Sequence, residues 1–181
     1  MNLKELQKPI PINEIDFRIQ SINKGWYATI LAYKDARVDM NRLDEVVWAW
    51  LWKREHSANN KNCKVSIYNQ EIKEWVSKED VWTESNTESE KGLASDSFKR
   101  ACFNWGIWRE LYDYPIISIK LNSSEFEIWS NWKPKQTWAL QLREWKWASE
   151  FKEWKLLGLA CKDSEWKLRF TYWEFTKKTT T

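Results

Sequence analysis

The residues of this chain that could bind a ligand by charge are concentrated in one predicted helix. Segment 91–101 places Lys91, Lys99 and Arg100 on the polar face of that helix. At about 100° per residue, Lys99 lies roughly 80° round the helix axis from Lys91, and Arg100 a further ~100°. The three cations cannot contact one phosphate, but they can line a groove that holds a nucleic-acid backbone. A solvated helix face is the alternative, and this segment by itself favours the alternative.

The sequence lacks the motifs of the common enzyme classes. It has no P-loop, dinucleotide-binding, zinc-protease or nucleophile-elbow pattern. His56 is the single histidine and falls in a predicted polar loop, where a solvated side chain is expected. Cys63, Cys102 and Cys161 are far apart in the sequence, so neither a disulfide framework nor a thiolate zinc site is expected. We therefore expect a non-enzyme without metal or cofactor; a metal-dependent nuclease would need clustered carboxylates that the sequence does not place.

The charge balance argues against binding nucleic acid by bulk attraction. The 181 residues hold 29 Lys and Arg against 26 Asp and Glu, a net charge of +3. Residues 1–121 hold 18 of each sign, so a DNA site there must arrange its cations on one face. No apolar run approaches the ~20 residues of a membrane-spanning helix. With no signal peptide and unpaired cysteines, the expected location is the cytoplasm.

The periodicity of apolar residues predicts an α+β fold. The predicted elements are a hairpin over 16–33, a helix over 36–47 capped by Asp35, a hairpin over 64–78, a helix started by a Thr87–Glu90 capping box and ended near Gly106, a strand over 116–121, and three alternating segments after Leu140 that form a meander. The predicted organisation is a core domain over 1–121, a linker over 122–140, a small β-meander appendage over 141–175 and a tail over 176–181.

Eight short segments between residues 6 and 121 carry a family resemblance. They are Leu6–Pro11, Asp16–Ser21, Leu31–Arg37, Asn41–Val47, Lys78–Val81, Glu84–Glu88, Lys91–Ala101 and Tyr112–Pro115. Each segment alone is weakly specific, but they follow in order and at suitable spacing. Together they resemble the Rad-fifty-two/twenty-two family of single-strand annealing proteins, most closely its bacteriophage and bacterial branch.

The resemblance implies an antiparallel β-hairpin sheet packed on a long helix, with a small C-terminal β appendage. It implies homo-oligomeric rings that hold single-stranded DNA in a basic groove and anneal complementary strands without ATP. It assigns DNA contacts to Lys91, Lys99 and Arg100, and more loosely to Lys24 in the first turn. A further basic residue of the family falls at Phe103, where that contact is missing. A single-strand binding protein or an exonuclease is the further partner class, and the cytoplasm of a bacterium or phage-infected host the location.

Two functions from different classes are open. The first is ATP-independent binding and annealing of single-stranded DNA in recombination and double-strand break repair. The second is a non-catalytic structural or interaction module that keeps the fold without an active DNA groove. The neutral core domain and Phe103 favour the second.

Aromatic residues on the predicted hairpins admit two interpretations. They could stack on the bases of a single strand, or they could form cross-strand pairs within the sheet. The residues concerned are Trp26, Tyr27, Tyr33, Tyr68 and Trp75.

Tryptophan occupies several positions where the chain needs glycine. The sequence has 16 Trp and only 4 Gly, although Gly usage is normally about 7%. Trp48 follows a predicted helix, Trp82 follows Glu79-Asp80-Val81, and Trp108 follows Gly106-Ile107. Trp154 and Trp166 fall in matching Glu-Trp-Lys-Leu turns. A non-glycine residue in the left-handed conformation costs about 1 kcal/mol or more. One hypothesis is that these codons are UGA triplets that the source reads as glycine; the alternative is true aromatics in adapted turns.

Overall fold

The computed structural model describes residues 2–81, 92–129 and 133–173. In these ranges the chain forms two α-helices and eleven strands, and the strands pair in antiparallel fashion, so the predicted α+β class is confirmed. The strands and helices are β1 Asp16–Ile22, β2 Tyr27–Tyr33, α1 Ala36–Val47, β3 Trp52–Ser57, β4 Asn62–Asn69, β5 Glu74–Val81, α2 Leu93–Asn104, β6 Ile117–Lys120, β7 Phe126–Ile128, β8 Pro134–Gln136, β9 Lys146–Lys152, β10 Lys155–Lys162 and β11 Leu168–Trp173.

Residue contacts divide the chain into two compact units. Unit one comprises Met1–Pro9 and Asp35–Arg109, and unit two comprises Ile10–Lys34 and Glu110–Thr181. The division predicted from the sequence, with its boundary after residue 121, concerns a core, a linker and an appendage and stays a prediction.

Unit one is built on the sheet β3-β4-β5, with α2 packed on one face of it. The inward residues of β4 and the apolar face of α2 are fully buried, because every second strand residue and every third or fourth helix residue points to the same side. This core consists of Leu6, Leu43, Val47, Cys63, Val65, Ile67, Phe98, Ala101, Cys102, Trp105 and Ile107. It holds α2 at a fixed position over the sheet.

Local chemistry sets the ends of both helices. Asp35 caps α1 by accepting the Arg37 N–H at 2.8 Å, as its place before the apolar stripe predicts. Helix α2 ends where Gly106 takes a φ of 97°, and the Ile107 N–H then bonds the Cys102 carbonyl at 3.3 Å. This closure needs glycine, because a Cβ at Gly106 would lie 2.6 Å from the Gln7 side chain.

Unit two contains the sheets β1-β2-β6 and β9-β10-β11 and the short β7-β8 pair. One of its buried charged side chains is Arg169, which is 5% exposed. The guanidinium donates to both carboxylate oxygens of Glu125 at 2.8 Å, to Asp163 at 3.1 Å and to the Lys120 carbonyl at 3.0 Å. These bonds tie β11 to the end of β6 and to the β10–β11 turn.

Most predicted elements are confirmed and one local prediction is wrong. The first hairpin, α1, β6 and the C-terminal meander are present. Residues 52–57 form β3, which places His56 on a strand and not in the predicted loop. Trp26 lies in the turn before β2, and residues 122–140 contain β7 and β8. The assignment of 122–140 as a linker stays a prediction. The Thr87–Glu90 capping box lies outside the described residues.

The long helix that the resemblance implies is not confirmed. The two α-helices of the described ranges each have 12 residues. None of the described helices has the length and apolar character needed to cross a membrane.

The ion group around Arg169 gives a first test. We expect Arg169→Ala to lower the free energy of unfolding by about 3–5 kcal/mol, because it leaves two buried carboxylates without their cation. Urea denaturation at pH 7 measures this effect. Arg37→Ala, which removes an exposed ion pair, should change the midpoint little; equal losses in the two variants would contradict the structural role of Arg169.

The same group predicts an acid dependence. Burial would raise the pKa of Glu125 and of Asp163, but hydrogen bonds from Arg169 and from backbone N–H groups outweigh burial and lower both pKa values. Because the folded pKa values lie below the unfolded ones, this stabilisation is present at neutral pH and is lost as pH falls below about 4. We expect the loss on acidification to be smaller in Arg169→Ala than in the parent chain, as measured by urea midpoints from pH 7 to pH 3.

Candidate nucleic-acid interface

The framework of the candidate site is the face of the β3-β4-β5 sheet that lies beneath α2. The register pairs Arg54 with Val65 and Val65 with Lys78, so one row of the sheet has an apolar centre and a cation at each edge. Arg54 lies 5.0 Å from the ring centre of Phe98, and Lys78 lies 4.6 Å from that of Trp105. Both edge cations therefore contact aromatic rings that α2 supplies.

Trp105 fixes the height of α2 above this row. Its side chain is 9% exposed, and its Nε1–H donates to the Val65 carbonyl at 3.1 Å. Phe98, about two turns earlier on the same side of the helix, is fully buried. The two rings seat the helix, and the next residues, Lys99 and Arg100, then point away from the core and are partly exposed.

The structure brings together two of the four predicted DNA-binding residues, and each lies near a carboxylate. Lys99 Nζ is 4.0 Å from Asp96 Oδ1, and Arg100 Nε is 3.4 Å from Asp80 Oδ1. Asn104, one turn after Arg100, donates to the second oxygen of Asp80 at 3.1 Å. Arg100 is therefore oriented towards β5, with 39% of its side chain still exposed.

Lys99 also acts at a distance on the start of α1. The side chain and backbone N–H of Arg37 lower the pKa of Asp35, with a smaller contribution from Lys99. The charge of Lys99 is therefore shared between Asp96 and Asp35. It is not an isolated cation awaiting a phosphate.

The other two predicted contacts, Lys24 and Lys91, stay predictions. Lys24 lies exposed in the turn between β1 and β2 and belongs to unit two. Lys91 lies outside the described residues. Of the predicted set of Lys24, Lys91, Lys99 and Arg100, two are thus described neighbours on α2.

Two cations that the sequence analysis did not select lie at the C-terminal end of α2. Lys78 Nζ donates to the Asn104 carbonyl at 2.7 Å, and Arg109 donates to the Phe103 and Asn104 carbonyls at 3.1 Å. Cations stabilise this end of a helix because its last carbonyls carry partial negative charge. Of the cations at this end of the helix, Arg100 pairs with the carboxylate of Asp80, whereas Lys78 and Arg109 bond the last helix carbonyls.

Arg109 bears directly on the basic residue that is missing at Phe103. Its guanidinium carbon lies 5.6 Å from the centre of the Phe103 ring. A positive charge is therefore present over this position, although it comes from a residue six places later in the chain. A comparison of sequences position by position does not detect a charge at Phe103 that is supplied by Arg109.

His56 is not a free surface histidine. It faces α2 from β3, and its Nδ1 lies 3.5 Å from the Ser97 hydroxyl. Burial and the neighbouring Arg54 lower its pKa, so the imidazole is neutral at pH 7 and adds no charge to the interface.

The aromatics that could stack on bases or pair within the sheet all make contacts within the protein. Tyr68 and Trp75 are cross-strand partners with ring centres 5.4 Å apart, which fits the pairing alternative. Trp26 is stacked on Phe126 at 4.4 Å. Tyr27 and Tyr33 have Lys120 and Arg18 over their rings, at 4.8 and 5.2 Å.

Within 2–81, 92–129 and 133–173, no three His, Cys, Asp or Glu side chains are grouped to hold a metal ion. Burial raises the pKa of the Cys63 thiol to about 11 and that of Cys161 to about 12, so both stay protonated at neutral pH.

Comparison with known proteins adds no relative. No family model, no curated protein and no solved structure matches the chain. The resemblance to single-strand annealing proteins therefore rests on the eight sequence segments.

The seating of α2 is testable through its hydrogen bond to the sheet. Trp105→Phe removes the Nε1–H donor and leaves the buried Val65 carbonyl without it, which should cost about 1–3 kcal/mol in the free energy of unfolding. Trp75→Phe is the matched control, because its ring is 43% exposed. Urea denaturation should show a large loss for the first variant and a change within ~0.5 kcal/mol for the second.

Proposed function

We propose that the protein binds single-stranded DNA and anneals complementary strands without ATP, in recombination and double-strand break repair. The observation that supports this most directly is the group of cations at the end of α2. Arg100, Lys78 and Arg109 are partly or fully exposed, and Lys78 and Arg109 lie beside the rings of Trp105 and Phe103. Cations interleaved with aromatics suit a single-stranded backbone and its bases.

The proposed assembly follows the family that the sequence resembles. Homo-oligomers would form a ring, and Lys99, Arg100 and Lys91, with Lys24 more loosely, would hold phosphates along its groove. We add Lys78 and Arg109 to that set. Residues 122–181 would serve a partner such as a single-strand binding protein or an exonuclease, in the cytoplasm of a bacterium or phage-infected cell.

The mechanism needs position and charge only, so we propose a protein that is not an enzyme. Contacts to phosphates hold the strand without reading its sequence. A backbone held in this way leaves its base edges free to test a second strand. Attraction between phosphates and cations offsets the repulsion between the two incoming strands, and no bond is made or broken.

Removal of the α2 cations tests the proposal. We expect Lys99→Ala with Arg100→Ala to weaken binding of all single strands alike, and to reduce the slope of log affinity against log salt by roughly 0.7 per lost phosphate contact. Annealing of two labelled oligonucleotides, followed by energy transfer without ATP, should slow in the same variant. Fluorescence anisotropy at several salt concentrations gives the slope.

The control removes the same charge from the opposite face of the same sheet. Lys53 and Lys64 both pair with Glu55, at 3.4 and 2.9 Å, on the face that α2 does not cover. Lys53→Ala with Lys64→Ala should leave the salt slope unchanged. An equal reduction in both double variants would mean bulk attraction, and no reduction in the α2 variant would remove Lys99 and Arg100 from the site.

The second candidate function is an interaction module without an active DNA groove. The ion pairs of α2 favour it, because Asp96 and Asp80 already partner the two cations that the resemblance assigns to DNA. A phosphate would have to displace these carboxylates or share Lys99 and Arg100 with them.

Substitution of one carboxylate separates the two candidates. Asp80→Asn keeps the shape of the side chain but removes the charge opposite Arg100. If the α2 end binds DNA, affinity for single strands should rise about threefold or more at low salt, since one repulsive charge close to the phosphates is lost. Unchanged affinity, together with unchanged salt slope, would favour the interaction module. Glu55→Gln, on the opposite face, is the matched control.

A further inference from the structure

The backbone conformation of the tryptophans is the most unusual feature of the chain. Of the 16 Trp, Trp82 and Trp132 lie outside the described residues, which leaves 16 − 2 = 14. Five of these have positive φ, namely Trp26 (64°), Trp48 (68°), Trp108 (68°), Trp154 (68°) and Trp166 (63°). Of the 4 Gly, only Gly106 does. Positive φ is uncommon outside glycine and is a genuine outlier for a bulky residue.

Two of the five occupy the same position in two matching turns. In the β1–β2 turn, the Trp26 N–H donates to the Asn23 carbonyl at 3.0 Å, and the Asn23 side chain accepts the N–H groups of Gly25 and Tyr27 at 2.8 and 3.1 Å. In such a three-residue loop the last residue takes the left-handed conformation, for which glycine is the usual choice.

The β10–β11 turn repeats this arrangement. The Trp166 N–H donates to the Asp163 carbonyl at 3.0 Å, and the Asp163 side chain accepts the N–H groups of Glu165 and Lys167 at 3.1 and 3.0 Å. The two turns share their hydrogen bonds, their Asn or Asp at the first position and their tryptophan at the glycine position. Coincidence of two unusual aromatics is a poor explanation for this repetition.

A third turn needs glycine for a related reason. The β9–β10 hairpin pairs Lys152 with Lys155, so its loop consists of Glu153 and Trp154, with φ values of 49° and 68°. Two-residue hairpin loops with positive φ at both positions strongly prefer glycine second, as in Asn-Gly.

Trp48 has the most demanding conformation of the five. It ends α1 with φ 68° and ψ 142°. The ordinary left-handed region has ψ of about +30° to +60°, and the region with larger ψ is close to one populated essentially by glycine alone. Its ring is 56% exposed, so burial offers no compensation.

Three tryptophans with a defined side-chain role do not have positive φ. Trp105 is buried and hydrogen bonded, and Trp52 donates its Nε1–H to Asp44 at 2.7 Å. Trp173 lies across from Gly158, where a Cβ would come within 2.2 Å of its ring. Of the five with positive φ, Trp26 also stacks on Phe126 and Trp108 packs against the core of unit one. Backbone conformation, and not the side-chain role, is therefore what sets these five apart.

We infer that residues 26, 48, 108, 154 and 166 are glycine in the protein as its source makes it. UGA is the codon that different genetic codes read as tryptophan or as glycine. The inference is therefore that these five codons are UGA, and that the source decodes UGA as glycine. The structure extends the sequence hypothesis to Trp26, and Trp82 of that hypothesis stays a prediction.

The gene and the native protein give the direct test. We expect UGA at these five codons and UGG at Trp52, Trp105 and Trp173. Peptide mass spectrometry of the protein from cells that carry the gene should give glycine masses at the five positions. UGG at the five codons, or tryptophan masses there, would overturn the inference.

Recombinant variants test the physical cause separately. Trp48→Gly, Trp154→Gly and Trp166→Gly together replace side chains that are 56, 41 and 67% exposed. We expect the triple variant to raise the melting temperature by about 5 °C or more, because relief of left-handed strain exceeds the entropy cost of glycine. If the chain with tryptophan at these positions does not fold and the triple glycine variant does, that result also supports the inference.

The control replaces three tryptophans of matched exposure whose φ is not positive. Trp129, Trp75 and Trp50 are 53, 43 and 71% exposed. Their triple change to glycine should lower the melting temperature, since glycine there relieves no strain, adds flexibility to the unfolded chain and removes ring contacts such as Tyr68–Trp75. A lower melting temperature for both triple variants would contradict the strain argument.

Discussion

The packing of α2 on β4 is the contact on which unit one depends. Phe98, Ala101 and Cys102 of the helix are fully buried in one cluster with Val65 and Ile67 of the strand. Burial of each large side chain contributes about 1.5–3 kcal/mol. The Trp105 hydrogen bond to the Val65 carbonyl adds direction to this apolar contact, because it permits only one depth and rotation of the helix. Every cation of the candidate interface is placed relative to that helix.

The apolar centre explains why the charges lie at the rim. Charged groups are excluded from the buried middle of the sheet, so the edge strands carry Arg54 and Lys78 with their stems along aromatic rings. The helix end adds Arg100 and Arg109 on the side of β5. The resulting surface has Lys78 and Arg109 over aromatic rings and Arg100 paired with Asp80. Charge arranged in this way can attract phosphates although residues 1–121 are neutral as a whole.

How far the sequence predicts this structure depends on whether a signal is local. The cap at Asp35 and the alternation of β1 and β2 are local, and both predictions are confirmed. Strand β3 was not predicted because its inward residues include Arg54 and His56, and these polar residues interrupt the alternation of apolar residues that indicates a strand. Lys99 and Arg100 are visible from helical spacing, whereas Lys78 reaches the site through strand register and Arg109 through a chain reversal. Neither of those two leaves a pattern in neighbouring residues.

That chain reversal connects the interface with the identity of the turn residues. Positive φ at Gly106 and again at residue 108 turns the backbone, so that Arg109 returns to the last carbonyls of α2. A glycine at 108 adopts this conformation without strain, whereas a tryptophan adopts it against its own Cβ. The ring of Trp48 and the ring of Trp166, both mostly exposed, would then be absent from the native surface. The rings of Phe103 and Trp105, next to the cations of α2, belong to residues without positive φ. The interface proposed above therefore uses aromatics that remain in the protein whichever way the five codons are read.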